Sequence, residues 1–132
     1  MTLPNPSQLQ KKQWRLIHSG FADGAYNMAL DESLLISAAQ KEQPTTLRLY
    51  GWEPATLSLG FAQSQNEIRL GQLEELGWGI VRRPTGGRAI LHIDELTYSL
   101  TASICESSLS GTLLESYHQI SRAILNSLAK LG

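Results

Sequence analysis

The sequence has one cysteine, almost no excess charge and no long apolar run. Cys105 alone among 132 residues excludes an internal disulfide framework and suits a reducing compartment. A formal net charge of −1 offers no broad basic face to nucleic acid or anionic lipid. The apolar stretches are far shorter than the roughly 20 residues that cross a bilayer, and the polar N-terminus resembles no secretory signal. These absences predict a cytoplasmic protein that binds neither nucleic acid nor membrane.

The composition predicts one globular domain preceded by an arm. Hydrophobic residues make up 42% and charged residues 17%, which is ordinary for a folded domain of 132 residues. Residues 1–12 are polar and contain two prolines, so we expect a flexible N-terminal arm there and a folded unit over 13–132. The histidines show no metal-ligand spacing with Cys105, and no metal site is expected.

Hydrophobic periodicity predicts an alternation of strands and helices. Gly51–Pro54 is read as a turn that pairs its flanking strands antiparallel. The order predicts an α/β (α+β) fold with a mixed, largely antiparallel sheet and packed helices. The last helix has no strand after it, so the domain is expected to be truncated. The predicted strands are 14–19, 46–50, 56–60, 78–83, 89–91 and 96–101, and the predicted helices are 25–40, 66–76 (capped by Asn66 and ended by Gly77) and 113–132.

The segment 82–92 carries the sharpest local pattern. Three arginines lie within seven residues around Gly86 and Gly87, between two apolar strand segments. Glycines allow a ligand to approach the backbone, successive N–H groups can bind an anion, and arginine adds a planar donor fork. The pattern therefore predicts a site for an anionic or carbonyl-bearing ligand. A tight β-hairpin with solvated arginines explains the same residues about equally well.

Three motifs in order give the chain a family resemblance. The run 82–92 with Asp94–Ser99, the segment Asn27–Glu32 and the segment Leu49–Gly60 resemble the biotin/lipoate A/B protein ligase family. Within it, lipoate–protein ligase A and the lipoyl-type octanoyltransferases look most similar. The resemblance runs from about Trp14 to the end of the chain.

The resemblance implies a class II synthetase/biotin ligase-like fold and an acyl pocket. The loop would border that pocket, and Arg88 stands where many ligases carry a third glycine, which favours the octanoyltransferase branch. Acyl-binding roles are implied for Arg83, Thr85, Gly86, Gly87, Arg88, Ala89, Ile90, Leu91 and His92.

The resemblance also implies that catalytic groups lie elsewhere. The family's downstream lysine or nucleophilic cysteine would fall beyond Gly132, so 13–132 corresponds to the N-terminal portion of a catalytic domain. No catalytic residue is identified in this chain, and whether it is an enzyme by itself stays open. Glu106 next to Cys105 disfavours a reactive thiolate, so an ordinary surface or core thiol is expected. Uncovered apolar surface predicts self-association or completion by a second chain.

The implied function is transfer of a lipoyl or octanoyl group to a lysine of a lipoyl-domain protein. The donor would be an acyl carrier protein thioester in a transferase, or lipoate with ATP and magnesium in a ligase. No covalently bound cofactor is expected. The alternatives are a non-catalytic acyl-binding or regulatory module of the same fold, and an interaction protein whose Gly–Gly turn binds nothing.

Other polar side chains near the motifs have two interpretations each. His92 is either a structural residue at a strand end or a hydrogen-bonding group of the pocket. Glu95 and the neighbouring Asp94 either orient the loop arginines or lie in a solvated turn. Trp52 either fills the core or walls the acyl slot. Asp31 and its neighbour Glu32 point in different directions on a helix, so a paired acid/base role is not expected.

Overall fold

In the part of the chain that the structure describes, six strands form two three-stranded sheets with three α-helices beside them. This computed structural model describes residues 13–40, 42–66 and 68–132, so the predicted arm at 1–12 lies outside the described residues. The strands are β1 (Arg15–Ala22), β2 (Thr46–Trp52), β3 (Thr56–Leu59), β4 (Gly79–Arg82), β5 (Ile90–His92) and β6 (Thr97–Thr101), and the helices are α1 (Gly24–Ala39), α2 (Leu70–Glu75) and α3 (Leu113–Leu128).

Each sheet has a central strand with one parallel and one antiparallel neighbour. In the first sheet, of order β1-β2-β6, β2 runs parallel to β1 and antiparallel to β6. In the second, of order β4-β3-β5, β3 runs parallel to β4 and antiparallel to β5. The predicted mixed α/β architecture is confirmed, although parallel pairs are as frequent as antiparallel ones among the described strands.

The predicted hairpin between β2 and β3 is wrong. The two strands belong to different sheets, and the segment between them connects the sheets. The Glu53 amide donates to the Ala22 carbonyl at 3.0 Å, so the chain continues along β1 instead of folding back. Thr56 then pairs with Gly79 of β4. The turn-forming residues therefore predicted the change of direction correctly, but they did not identify the strand with which β3 pairs.

The buried side of β2 is its polar side. Thr46, Arg48 and Tyr50 are buried, whereas Leu47 and Leu49 are only half-buried. Helix α1 covers the buried side, and its polar groups accept hydrogen bonds from Arg48. The alternation that predicted the strand is real, but the covered face is held by a polar network as well as by apolar packing.

Helix α1 contacts both sheets and closes the core between them. Its N-terminus is capped by Asp23, whose side chain accepts from the Tyr26 amide at 2.8 Å. Met28 on this helix packs with Tyr50 and Trp52, and Val81 of β4 packs against this cluster. The helix thereby fixes the position of one sheet relative to the other.

The second predicted helix starts later than expected. It begins at Leu70 after Arg69, so Asn66 is not its cap. The Asn66 amide donates to the Ser64 hydroxyl at 3.2 Å, which places this residue in a turn before the helix. The predicted stop at Gly77 is confirmed by its φ of +67°.

Helix α3 is strongly amphipathic but buries none of its residues. Thr112 and Glu115 form a capping box at its start, with the Thr112 amide donating to Glu115 at 2.7 Å. Its apolar side carries Tyr117, 61% exposed, and Leu125, 65% exposed. Among the described helices, none combines the length and apolar character needed to span a bilayer.

Candidate functional site

A cavity of about 350 Å³ opens where the ends of the two sheets meet α1, α3 and the glycine loop. This volume is within the range of about 300–1,000 Å³ typical of small-ligand sites. Apolar walls come from Met28, Trp52 and Ile90, together with Tyr117 and Ile120 of α3. Polar groups converge from both sheets and from the loop, and they are Asp31, Tyr50, Ser58, Arg83, Thr85, His92, Thr97 and Ser99.

Arg83 braces the loop from inside. Its Nη1 donates to the carbonyl and hydroxyl oxygens of Ser58 at 3.0 and 3.1 Å. Its Nη2 donates to the carbonyls of Gly86 and Arg88 at 2.9 and 2.7 Å. The guanidinium thus ties both arms of the glycine bend to β3. It contributes positive charge to the cavity while most of its donors are already used.

The other two arginines of the motif differ from Arg83. Arg82 donates through Nη1 to the carbonyls of Gly60, Phe61 and Gln63, and so secures the turn that follows β3. The Arg88 side chain is exposed and has no hydrogen-bond or charged partner among the described residues. Solvated arginines, one of the two interpretations of the motif, therefore describe Arg88, whereas Arg82 is exposed but hydrogen-bonded to the turn.

The glycine loop lies directly against the end of β3. A Cβ added at Gly60 would lie 1.9 Å from the Gly87 carbonyl oxygen, so no side chain fits there. Gly87 has a φ of +95°, which disfavours any residue with a Cβ. The Phe61 amide donates to the Thr85 carbonyl at 2.9 Å. The amides of 85–88 have no acceptor among the residues that the structure describes, so they remain available as donors.

The structure brings four of the nine predicted site residues to the cavity. Arg83, Thr85, Ile90 and His92 line it. Ile90 and His92 lie on the same face of β5, whereas Leu91 points to the opposite face because side chains alternate along a strand. The acyl-binding role of the nine residues stays a prediction. Those outside the lining are Gly86, Gly87, Arg88, Ala89 and Leu91.

Ser58 is a site residue that the sequence reasoning missed. It is fully buried on β3, and its Oγ lies 2.8 Å from Nε2 of His92. The ring of Trp52 stacks on His92 with centroids 4.1 Å apart, so Trp52 walls the cavity and also belongs to the core. Alternation along β3 placed Ser58 on one face with Thr56, but nothing in the sequence paired that face with His92.

Glu95 contacts His92 and not the loop arginines, so the interpretation in which it orients Arg83 or Arg88 is not the one observed. Its Oε1 lies 2.6 Å from Nδ1 of His92 and accepts from the Thr97 hydroxyl at 2.7 Å. Burial raises the pKa of Glu95, but the hydrogen bonds from His92 and Thr97 outweigh it and hold the pKa below its usual value. Glu95 is therefore an ionised acceptor at neutral pH.

A second polar cluster forms the floor of the cavity around Asp31. Its carboxylate accepts from Arg48 at 2.8 Å, from the Tyr50 hydroxyl at 2.9 Å and from the Ser99 hydroxyl at 2.7 Å. Burial and the neighbouring Asp31 carboxylate raise the pKa of Tyr50 well above its ordinary value, so its hydroxyl stays a donor. Glu32 is exposed, which agrees with the expectation that the two neighbouring carboxylates do not act together.

Cys105 lies away from the cavity. It is exposed and borders a separate shallow depression with Gln43 and Pro44, as expected for a surface thiol. Within the described residues, no three His, Cys, Asp or Glu side chains gather as a metal-binding group. Asp31 is the carboxylate of the cavity wall and is already bonded to Arg48, so the residues present do not fit a magnesium ion.

Comparison with solved structures defines the fold. A lipoate-protein ligase A bound with ATP matches 91% of this chain and 47% of its own length, with a TM-score of 0.71 and 24% identity. A bipartite lipoate protein ligase from Thermoplasma acidophilum matches with a TM-score of 0.70 and 24% identity, over 91% of this chain and 46% of its own. The two-sheet arrangement is therefore the lipoate-protein ligase fold.

The sequence itself places the chain within this group. Residues 23–132 match the lipoyl protein ligase A/B catalytic domain, and the chain belongs to that family. The octanoyltransferase LipM of Kyrpidia tusciae is 48% identical over 120 residues, which are 90% of this chain and 44% of the relative. The LipM of Bacillus subtilis is 46% identical over 125 residues, 94% of this chain and 45% of the relative. The chain thus spans about half the length of the curated relatives it matches.

Proposed function

We propose that this chain provides the acyl-binding part of an enzyme that transfers an octanoyl or lipoyl group to a lysine of a lipoyl-domain protein. The observation that carries the proposal is the cavity, where an apolar wall meets polar groups that include Arg83 and Thr85 at the start of the glycine loop. Relatives at 46–48% identity are octanoyltransferases, whereas the matching ligase structures are 24% identical. Octanoyl transfer from an acyl carrier protein thioester is therefore favoured over ATP-dependent ligation.

The cavity suits both ends of an acyl group. The chain methylenes would lie against Met28, Trp52 and Ile90, and each buried methylene contributes about 0.8 kcal/mol. A nucleophile attacks the thioester carbonyl, which forms the new bond to carbon and moves an electron pair onto the carbonyl oxygen. The carbonyl then re-forms as the C–S bond breaks and the carrier thiolate leaves. The loop amides and the positive charge of Arg83 would stabilise that oxyanion. When the nucleophile is the acceptor lysine amine, its nitrogen loses the proton that the leaving thiolate takes up, and the product is the amide.

A partner completes the site in this proposal. Tyr117 and Ile120 of α3 line the cavity, and this helix buries none of its residues. Leu16 of β1, 65% exposed, and Leu91 of β5 lie uncovered as well. We propose that a polypeptide corresponding to the remaining length of the relatives covers these faces. The acceptor lysine belongs to the lipoyl-domain substrate, and an acyl carrier protein is the proposed donor.

Ligand binding tests the cavity directly. We expect octanoate to bind the chain in calorimetry or by perturbing the amide resonances of Gly86 and Gly87. Hexanoate lacks two methylenes, so its affinity should be about tenfold lower or weaker still. Ile90→Glu places a charge in the cavity and should abolish binding. Ile104→Glu is the matched control because Ile104 is 99% exposed and does not line the cavity. Equal binding by both variants would refute the assignment of the cavity.

A non-catalytic acyl-binding module is the second candidate. The residues that line the cavity include no lysine and no cysteine among those described, so no family-type nucleophile is in place. Transfer of labelled octanoate from acyl carrier protein to a lipoyl domain separates the two candidates. Label on the lipoyl domain supports the transferase. Saturable octanoate binding without transfer, even after the remaining half of a LipM relative is added, supports the module.

A further inference from the structure

An unbroken chain of hydrogen bonds connects the glycine loop to Glu95. Arg83 contacts the Ser58 hydroxyl at 3.1 Å, and that hydroxyl lies 2.8 Å from Nε2 of His92. Nδ1 of His92 lies 2.6 Å from Glu95. The series joins the loop, β3, β5 and the segment before β6. Each member therefore influences the position of the next.

With a singly protonated imidazole, the donors and acceptors of this series of hydrogen bonds fit one proton arrangement. Arg83 has only donors, so the Ser58 oxygen accepts from it. Ionised Glu95 has only acceptors and already receives the Thr97 hydroxyl, so Nδ1 of His92 carries a proton and donates. Nε2 is then the acceptor of the neutral ring, and the Ser58 hydroxyl donates to it. Nε1 of Trp52 adds a further hydrogen bond to the arrangement, because it donates to the Thr97 hydroxyl at 2.7 Å.

The burial of Ser58 and His92 distinguishes this arrangement from that of a serine nucleophile with its base. Ser58 is 0% exposed, and its oxygen already accepts from Arg83 while its hydrogen bonds to His92. His92 is 7% exposed and is held by the Trp52 ring at 4.1 Å with planes 12° apart. The Ser58 hydroxyl is badly placed to attack a carbonyl, because it already donates one hydrogen bond, accepts another and has no exposed surface. The arrangement is suited to hold groups in position.

We propose that His92 is a positioning residue that acts through Ser58 on Arg83, and thereby fixes the loop 85–88 in the shape that receives an acyl carbonyl. Glu95 selects the tautomer with the proton on Nδ1, and this tautomer lets Ser58 donate to Nε2. Ser58 then presents its oxygen to Arg83, whose other nitrogen holds the Gly86 and Arg88 carbonyls. The acyl-carbonyl part of the inference rests on the proposed function, whereas the proton arrangement does not.

Nitrogen NMR of the imidazole rings tests the proton arrangement in the intact chain. His92 should show a protonated Nδ1 and an unprotonated Nε2 at neutral pH. The exposed His18 and His118 serve as internal references. In Glu95→Leu the His92 preference should disappear, and in Glu95→Gln it should persist because the amide oxygen still accepts. A protonated Nε2, or a mixture of the two tautomers in His92, would overturn the proposal.

The loop amides report whether the arrangement controls the loop. Ser58→Ala and Glu95→Leu should shift the amide resonances of Gly86 and Gly87, and Glu95→Gln should leave them near their original positions. Octanoate affinity should fall about tenfold in the first two variants and change less than about threefold in the third. Unchanged glycine resonances in both Ser58→Ala and Glu95→Leu would refute the positioning role. If the Gly86 and Gly87 resonances shift in the variants as expected but the parent chain does not bind octanoate, the proposed function alone is refuted.

Discussion

Asp31→Asn should destabilise the fold by about 3–5 kcal/mol, because it removes the charge that compensates a buried arginine. Arg48 is 0% exposed, and its guanidinium lies 2.8 Å from the Asp31 carboxylate. Its other hydrogen bonds go to neutral acceptors, which are the Ser19 hydroxyl at 2.8 Å and the side-chain and backbone oxygens of Asn27 at 2.6 and 3.2 Å. The variant leaves a cation without water and without a counter-charge, which is among the costliest changes a core can receive.

Urea and thermal unfolding measure this loss. In a domain of this size, 3 kcal/mol lowers the melting temperature by about 10 °C. The matched control is Glu32→Gln, which removes the same charge one residue along the same helix from an exposed position. It should change the unfolding free energy by less than about 0.5 kcal/mol. A second comparison is the pair Asp31→Leu with Arg48→Met, which removes both charges together and should restore much of the loss.

Two results would refute this reasoning. Equal stability of Asp31→Asn and Glu32→Gln would show that Arg48 does not depend on its ion pair. Additive losses in the double variant would show that the two charges are not coupled. The prediction also concerns the cavity, because Asp31, Tyr50 and Ser99 form its floor. A destabilised floor should therefore weaken octanoate binding beyond the effect of unfolding alone.

Three further perturbations follow from the same contacts. Arg83→Ala breaks four hydrogen bonds and should lower the free energy of unfolding in urea by about 2–3 kcal/mol. Arg88→Ala should lower it by less than about 0.5 kcal/mol. Equal losses in the two variants would contradict the bracing role of Arg83. The pKa of Glu95 in the folded chain is below its ordinary 4.5, so its stabilisation is present above that pH and is lost as the pH falls through the lowered value. Glu95→Gln should therefore flatten the acid side of a stability-against-pH curve, and an unchanged curve would count against the interaction with His92. The parent chain should sediment above its monomer mass at micromolar concentration, and Leu125→Lys with Leu128→Lys should shift it toward monomer; a compact parent monomer would rule out self-association through α3.

Local patterns predicted most of the secondary structure because they depend on neighbouring residues. Period-two alternation identified β2, β3 and β6, and the spacing of Leu113, Tyr117 and later apolar residues identified α3. Pairing could not be found in the same way. A turn at Gly51–Pro54 is compatible with a hairpin and with a crossing between sheets, and contacts distant in sequence, from Glu53 to Ala22 and from Thr56 to Gly79, distinguish them.

The candidate site was predictable where it is contiguous in sequence. Arg83, Thr85, Ile90 and His92 were predicted from one motif, and all four line the cavity. Ser58 was missed because it is 34 residues from His92 and looks like the polar side of an ordinary strand. Its partner is decided by which faces of two strands meet, and no local pattern carries that information.

The sequence by itself determined the strands and helices, the family resemblance and the glycine bend, since each depends on residues close together along the chain. Only the tertiary structure decided that the polar side of β2 is the buried one, and that Arg83 holds the loop from within. Both outcomes depend on groups distant in sequence: α1 brings Asn27 and Asp31 to Arg48, and β3 brings Ser58 to Arg83. A buried charge is tolerable only where such partners converge, and convergence is a property of the folded chain.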